Sequence, residues 1–104
     1  MADTFEDAVA IDYADLPGLP ISTVIGHEGK LILGTFEGCP CVAMQGRVHL
    51  YEGHDPETIA FGVRLMQSLG AHSMLVTNAA GGIHPDFRPG DLMLILDQLN
   101  LTSR

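Results

Sequence analysis

Three side chains suited to anion and sugar chemistry alternate along residues 46–53, GRVHLYEG. Alternate residues of a strand share one face, so a strand here would present Arg47, His49 and Tyr51 together and turn Val48 and Leu50 to the core. The spacing predicts such a strand. An ordinary edge strand with one solvated face gives the same alternation, so the polar face has two interpretations.

The second interpretation is a site for an anion and a sugar. The planar guanidinium of Arg47 offers a fork of donors that matches phosphate oxygens, and His49 can donate a further hydrogen bond. The ring of Tyr51 has an apolar face and a polar tip, which suits a ribose or a base. Glu52 follows where the strand gives way to Gly53. The segment is therefore a candidate phosphate and sugar site.

A loop of small residues, NAAGG at 78–82, follows a predicted buried strand over residues 74–77. In α/β folds ligands gather where strands end, because backbone N–H groups there are released from the ladder. Small residues let the backbone approach a ligand closely, and consecutive N–H groups can hold an anion. A tight turn that needs glycine explains the same letters. The loop is neither a Rossmann fingerprint nor a P-loop, since GxGxxG and GxxxxGK are both missing.

Strands on either side of one helix would position these loops. STVIG at 22–26 is a short strand candidate, and His27 follows it in a glycine-bracketed loop, where a single histidine is more often structural or solvated than functional. A hairpin is predicted from a β-rich run over residues 30–36, a turn at EGCP and a second run that continues toward GRVHLYEG. A turn at Pro89 and Gly90 precedes a predicted apolar strand that ends at Leu96. Together with the helix, these strands predict an α/β sandwich.

The helix is predicted over residues 55–70. Asp55 is a suitable N-cap, and Pro56 stands at the first helical position, where its missing N–H costs nothing. Gly70 ends the segment in the place of a left-handed cap. The predicted core-facing stripe recurs at helical spacing, at Ile59, Val63 and Met66.

Length and composition predict one globular domain over residues 1–104, with an acidic, irregular lead-in over the first twenty residues. The formal net charge of −8, with only 5 Lys and Arg, excludes a general nucleic-acid surface. The absence of a long apolar run or a secretory leader predicts no membrane association and a cytoplasmic location. Cys39 and Cys41 are predicted to be free, buried thiols.

Four segments, STVIGHEG, MQGRVHLYEGH, VTNAAGG and PGDLMLI, resemble in order and spacing the trimeric purine nucleoside phosphorylases. The similarity covers nearly the whole chain. In the related methylthioadenosine phosphorylases a Thr-Ala-Cys type of sequence usually replaces the Asn-Ala-Ala of residues 78–80. The resemblance implies an α/β fold, part of a mixed β-sheet sandwich flanked by helices, and the phosphorolysis of purine ribonucleosides and deoxyribonucleosides to a free purine and a sugar 1-phosphate.

The same resemblance implies roles for particular residues. Phosphate would be bound by four of them, His27, Arg47, His49 and the backbone N–H of Ala79. Tyr51 and Asn78 would bind the nucleoside, while His49 and Glu52 would take part in catalysis, Glu52 by orienting phosphate and ribose. Inorganic phosphate would be the co-substrate, with no metal or organic cofactor. The family resemblance further implies a homotrimer.

Two departures from the family pattern bear on activity. The family's Gly-Ser-Gly-Leu-Gly phosphate loop lies upstream of the segments matched here, and its purine-binding Glu and Asn lie in a C-terminal half beyond them. The chain is thus expected to be an interior fragment, inactive alone. Alternatives are a non-catalytic fragment that self-associates through its sheet edges, or a methylthioadenosine phosphorylase. Gln98 stands where relatives often carry His.

Overall fold

Three antiparallel strands and one helix form the first part of the chain. The computed structural model describes residues 2–21 and 29–101. The elements are β1 (Glu6–Asp12), β2 (Lys30–Phe36), β3 (Cys39–Gln45) and α1 (Pro56–Ser68), with short 3₁₀ helices at Ala2–Thr4, Tyr13–Asp15 and Leu50–Glu52. The chain divides into two units, Met1–Ser73 and Met74–Arg104, and all of these elements lie in the first. The predicted strand at 22–26 falls outside the described residues.

The predicted hairpin is confirmed as β2 and β3, which pair in register from Lys30 opposite Gln45 to Phe36 opposite Cys39. Its turn is shorter than predicted. Glu37 and Gly38 form it alone, with φ of 49° and 78°, the left-handed pair that a two-residue hairpin turn requires. Cys39 and Pro40, predicted in the turn, belong to β3 instead. A proline is tolerated there because it lies near the start of a strand at the edge of the described sheet.

The prediction of an irregular lead-in is wrong for β1. This strand pairs antiparallel with β2, from Asp12 opposite Lys30 to Glu6 opposite Thr35, with a bulge between Glu6 and Val9. Its side chains are mostly exposed. Charged, exposed residues on an edge strand discourage pairing with other chains, so acidity here is compatible with a strand.

One face of the sheet carries the core. Tyr13, Leu19 and Leu31 are its buried members. Around them pack six partly buried apolar side chains, Leu16, Leu33, Val42, Met44, Phe61 and Leu65. The register places Leu31 opposite Met44 and Leu33 opposite Val42, so the two strands present their apolar residues together.

The ends of α1 match the prediction. The carboxylate of Asp55 accepts a hydrogen bond from the Thr58 N–H at 2.7 Å, and Pro56 opens the helix. At the other end Gly70 has φ of 96° and donates to the Gln67 carbonyl, while the Ala71 N–H donates to Met66. This pair of bonds is a Schellman motif, which satisfies carbonyls that the last turn leaves unpaired.

The prediction that Ile59, Val63 and Met66 form the core-facing side of α1 is wrong. Val63 is 44 % exposed, and Ile59 and Met66 are only half-buried. The core contacts come from Phe61 and Leu65, four residues apart. Apolar residues occupy both flanks of this helix, so spacing alone could not decide which flank faces the sheet.

The second unit has turns but no strand in its described part, residues 74–101. The strands predicted over residues 74–77 and up to Leu96 are therefore wrong for this structure. A strand is stabilised by hydrogen bonds to a neighbouring strand, and the sheet of the described residues consists of β1, β2 and β3. The predicted turn at Pro89 and Gly90 is confirmed, with the Asp91 N–H bonded to the Arg88 carbonyl.

The two cysteines are free, as predicted, but the prediction that both are buried is wrong: Cys39 is exposed and Cys41 half-buried. Cys39 directly follows the hairpin turn, where the chain projects into solvent. No helix among the described residues is long and apolar enough to cross a membrane.

Candidate phosphate and sugar site

The segment GRVHLYEG, residues 46–53, is not a strand. The prediction of a strand from its alternating side chains is therefore wrong. β3 ends at Gln45, opposite Lys30, where β2 begins, so beyond this point β2 offers no further partner. Gly46 then turns the backbone with φ of 97°. Residues 47–49 are irregular, and a short 3₁₀ helix, Leu50–Glu52, follows.

The alternation of side chains survives in part without the strand. Val48 is buried, at 8 % exposure, whereas Leu50 is 37 % exposed and does not join the core as predicted. The rings of His49 and Tyr51 lie on one side and stack, with centroids 4.8 Å apart and planes inclined by 11°. An extended backbone at His49, with φ of −125° and ψ of 155°, preserves the local alternation at this step.

Glu52 stabilises this arrangement from within the segment. Its Oε1 accepts a hydrogen bond from the His49 N–H at 2.7 Å, and its own N–H donates to the His49 carbonyl at 3.0 Å. Gly53 ends the short helix in the left-handed region, with φ of 90°. These two hydrogen bonds between His49 and Glu52 fix the backbone from residue 49 to residue 52.

Arg47 is exposed at the surface, while His49 is half-buried and Tyr51 is 76 % exposed. The five residues 47–51 therefore present a cation, an imidazole and a phenol ring that are each at least partly exposed to solvent. This arrangement can bind an anion beside an apolar surface. His27, the fourth predicted phosphate ligand, lies outside the described residues.

A residue that the sequence did not single out supports the start of this loop. The hydroxyl of Tyr13 donates a hydrogen bond to the Gly46 carbonyl at 2.7 Å, across 33 positions of the chain. Tyr13 is 2 % exposed, and its N–H is bonded to the Gly29 carbonyl at 2.7 Å. Local spacing in the sequence cannot indicate a contact between residues so far apart in the chain. The one hint in the sequence is that Tyr13 directly follows an acidic segment.

Asn78 and Ala79 belong to the second unit, where both are exposed. An open groove in this unit is lined by Met74, Val76 and Asn78 together with residues 95–98. Its polar lining residues are Asn78, Asp97 and Gln98. That the small-residue loop joins Arg47 and His49 around one anion stays a prediction.

Metal binding finds no support in the described part of the chain. Across residues 2–21 and 29–101, no three side chains of His, Cys, Asp or Glu are grouped closely enough to hold an ion.

Comparison with known proteins identifies the family of this chain. The sequence model of the phosphorylase superfamily matches residues 1–104. Purine nucleoside phosphorylase 1 of Bacillus subtilis is 52 % identical over 100 residues, which cover 96 % of this chain and 37 % of that protein. The structure of Schistosoma mansoni purine nucleoside phosphorylase with inosine superposes with a TM-score of 0.80 at 43 % identity, covering 86 % of this chain and 32 % of that one.

A second Schistosoma mansoni structure, isoform 2 with cytosine and ribose-1-phosphate, gives a TM-score of 0.78 at 43 % identity, covering 86 % of this chain and 32 % of that one. The chain belongs to the phosphorylase superfamily, and its structural relatives confirm the predicted α/β class. It spans about a third of the length of these relatives.

Proposed function

We propose that this chain is the segment of a purine nucleoside phosphorylase that carries its phosphate and sugar loop. The protein would cleave purine ribonucleosides and deoxyribonucleosides with inorganic phosphate as co-substrate, and without a metal or organic cofactor. The observation that carries the proposal is the loop at 46–53, where an exposed Arg47 precedes a stacked imidazole and phenol by two residues. Identity of 52 % to a purine nucleoside phosphorylase across this region supports it.

The residue roles are those that the family resemblance implies, and the chemistry of the reaction agrees with them. Glycosidic cleavage passes through a cation-like sugar, which an anionic nucleophile held close and in line stabilises. Arg47 and His49 would hold the phosphate, with His27 and the Ala79 N–H as further donors. The exposed ring of Tyr51 would lie against the sugar. Glu52, which fixes the His49 backbone, would orient phosphate and ribose, and Asn78 would contact the nucleoside.

Assembly and location are part of the same proposal. The family resemblance supports a homotrimer, and a cytoplasmic location is proposed with it. In such an assembly the segment would contribute its loop, and the remaining two-thirds of the relatives' length would contribute the other contacts to the purine and the phosphate. The 104-residue chain alone is therefore expected to release no purine.

A transplant tests the function without depending on the isolated chain. Residues 1–104 replace the matched segment of the Bacillus subtilis enzyme, and purine release from inosine is measured with and without phosphate. We expect release that requires phosphate. A transplant that melts cooperatively and releases no purine, beside an active parent enzyme, would contradict the proposal.

Two controls separate the alternatives. The isolated chain, assayed beside the transplant after circular dichroism has confirmed its folding, reports whether this segment has activity of its own. Methylthioadenosine in place of inosine tests the related phosphorylase. We expect inosine to be the better substrate, since residues 78–80 are Asn-Ala-Ala.

A further inference from the structure

We propose that Tyr13 is a positioning residue, whose hydroxyl fixes the loop that presents Arg47 and His49 to phosphate. The proposal rests on the proposed function for the phosphate, but its structural part is independent of it. The hydroxyl of Tyr13 donates to the Gly46 carbonyl at 2.7 Å, and the Gly46 carbonyl shares a peptide plane with the Arg47 N–H. Holding that carbonyl therefore sets the direction in which the backbone enters Arg47.

Tyr13 is itself held rigidly. Its side chain is 2 % exposed and packs in the core with Leu19 and Leu31. Its backbone N–H is bonded to the Gly29 carbonyl, next to the start of β2. The backbone and the ring of Tyr13 are thus both held in place. Because close-packed interiors leave a buried side chain little freedom, the hydroxyl has a fixed position relative to the core.

The loop needs an anchor at Gly46 because the sheet does not extend to it. Gln45 is the last residue of β3 that pairs with β2, and Gly46 leaves the strand with φ of 97°, a region that glycine enters without steric cost. Further along, Glu52 holds the His49 N–H. Tyr13 and Glu52 thus fix the two ends of the stretch that runs from Gly46 to His49.

A tyrosine that served only the core would be replaced by phenylalanine with little consequence for the loop. The ring would pack as before, and only the bond to the Gly46 carbonyl would be lost. Tyr13→Phe is therefore the informative substitution. Leu31→Val is the matched control, because it perturbs the same core cluster and removes no hydrogen bond to the loop.

Amide hydrogen exchange of the 104-residue chain, followed by NMR, measures the loop directly. The His49 N–H, bonded to Glu52, reports on the loop, and the Leu69 N–H, bonded to Leu65, reports on α1. In Tyr13→Phe we expect His49 to exchange about tenfold faster relative to Leu69, as the loss of one net hydrogen bond implies. In Leu31→Val the ratio of the two rates should stay as in the unmodified chain.

Titration of the same samples with inorganic phosphate completes the test. We expect the amide signals of Arg47 and His49 to shift on binding, and Tyr13→Phe to weaken the phosphate affinity about five- to tenfold. An unchanged His49 to Leu69 ratio would overturn the positioning role, as would a loosened loop with unaltered phosphate affinity. A third outcome is that Tyr13→Phe loosens the loop but the unmodified chain shows no response to phosphate. This result would support the anchor and overturn the proposed phosphate site.

Discussion

At the scale of single residues, Tyr13 shows how one buried hydroxyl can link the core to a surface loop. Burial raises the pKa of Tyr13 to about 12. The phenol therefore remains a hydrogen-bond donor to the Gly46 carbonyl throughout the neutral and mildly alkaline range. An ionised phenolate would lose that donor and place a charge in the core, so its formation should oppose folding.

This shift predicts how stability depends on pH. The unfolded chain releases the Tyr13 proton near pH 10, and the folded chain only near pH 12, so above pH 10 the folded state binds more protons. The free energy of unfolding should therefore fall by on the order of 2 kcal/mol between pH 10 and pH 12. Urea titrations at several pH values measure it. Tyr13→Phe should remove this part of the decline, and an identical decline in the variant would count against the assignment.

Arg47 carries a prediction about geometry as well as charge. Lysine would keep the positive charge and lose the planar fork that contacts two phosphate oxygens. In the transplanted enzyme, Arg47→Lys should raise the KM for phosphate about 10- to 100-fold, since a charged hydrogen bond is lost. The KM for inosine should change little. Steady-state kinetics with each substrate varied in turn decide the matter, and unchanged phosphate dependence would refute the role.

The chemistry of the loop could be predicted from the sequence, whereas the hydrogen bond from Tyr13 that anchors the loop could not. Arg47, His49 and Tyr51 stand close together in the chain, so their chemistry is visible in eight letters. The bond from Tyr13 to Gly46 joins positions 33 apart. A contact of that kind depends on how the sheet and the helix enclose the tyrosine ring, which no local pattern records.

At the scale of elements, local signals predicted the helix ends better than the strands. Asp55, Pro56 and Gly70 act through their nearest neighbours, and each does what its type predicts. The strand at 46–51 was wrong because strands depend on a partner, and β2 starts opposite Gln45. The flank of α1 that faces the core was also wrong, since both flanks carry apolar residues.

The N-cap of α1 gives a prediction about acid stability. The N–H of Thr58, bonded to the Asp55 carboxylate, lowers the pKa of that carboxyl. This contribution to stability is present above the unfolded pKa and is lost as pH falls through the folded value. Asp55→Ala should lower the melting temperature at neutral pH and weaken its decline in acid. Thermal melts of both proteins across the acidic range test this, with Glu57→Ala as control; parallel curves would contradict it.

Gly62 gives a prediction about packing between α1 and the sheet. A Cβ at this position would approach the Met44 Cε to 2.6 Å and its Sδ to 2.7 Å. Gly62→Leu should therefore destabilise the protein by about 1 to 3 kcal/mol through overpacking. Met44→Ala in the same chain should recover part of this loss, because it vacates the space. Val63→Leu, on the exposed flank of the helix, should have little effect. Urea unfolding of the four variants gives the coupling energy, and strict additivity would exclude the contact.

At the scale of the whole molecule, the described sheet accounts for only part of the apolar sequence. The core lies in the first unit, and the apolar residues of 74–77 and 92–96 are largely exposed in the second. Their hydrophobic runs predicted strands buried in a sheet, which the structure does not show. Hydrophobicity does not record which segments pair with each other, and the sheet of the described residues is formed by β1, β2 and β3.

Exposure of this apolar surface predicts concentration-dependent self-association. Leu92, Leu94 and Leu96 are 100 %, 86 % and 93 % exposed. Contiguous apolar surface of this kind favours association, because contact between chains removes it from water. Sedimentation velocity over a wide concentration range should show species larger than a monomer. Replacing Leu94 and Leu96 by lysine should shift the distribution toward monomer, whereas lysines at the exposed polar positions Gln98 and Asn100 add the same charge and should change it less. Equal effects of the two pairs would assign the change to charge, and a monomer at every concentration would show that this surface drives no association.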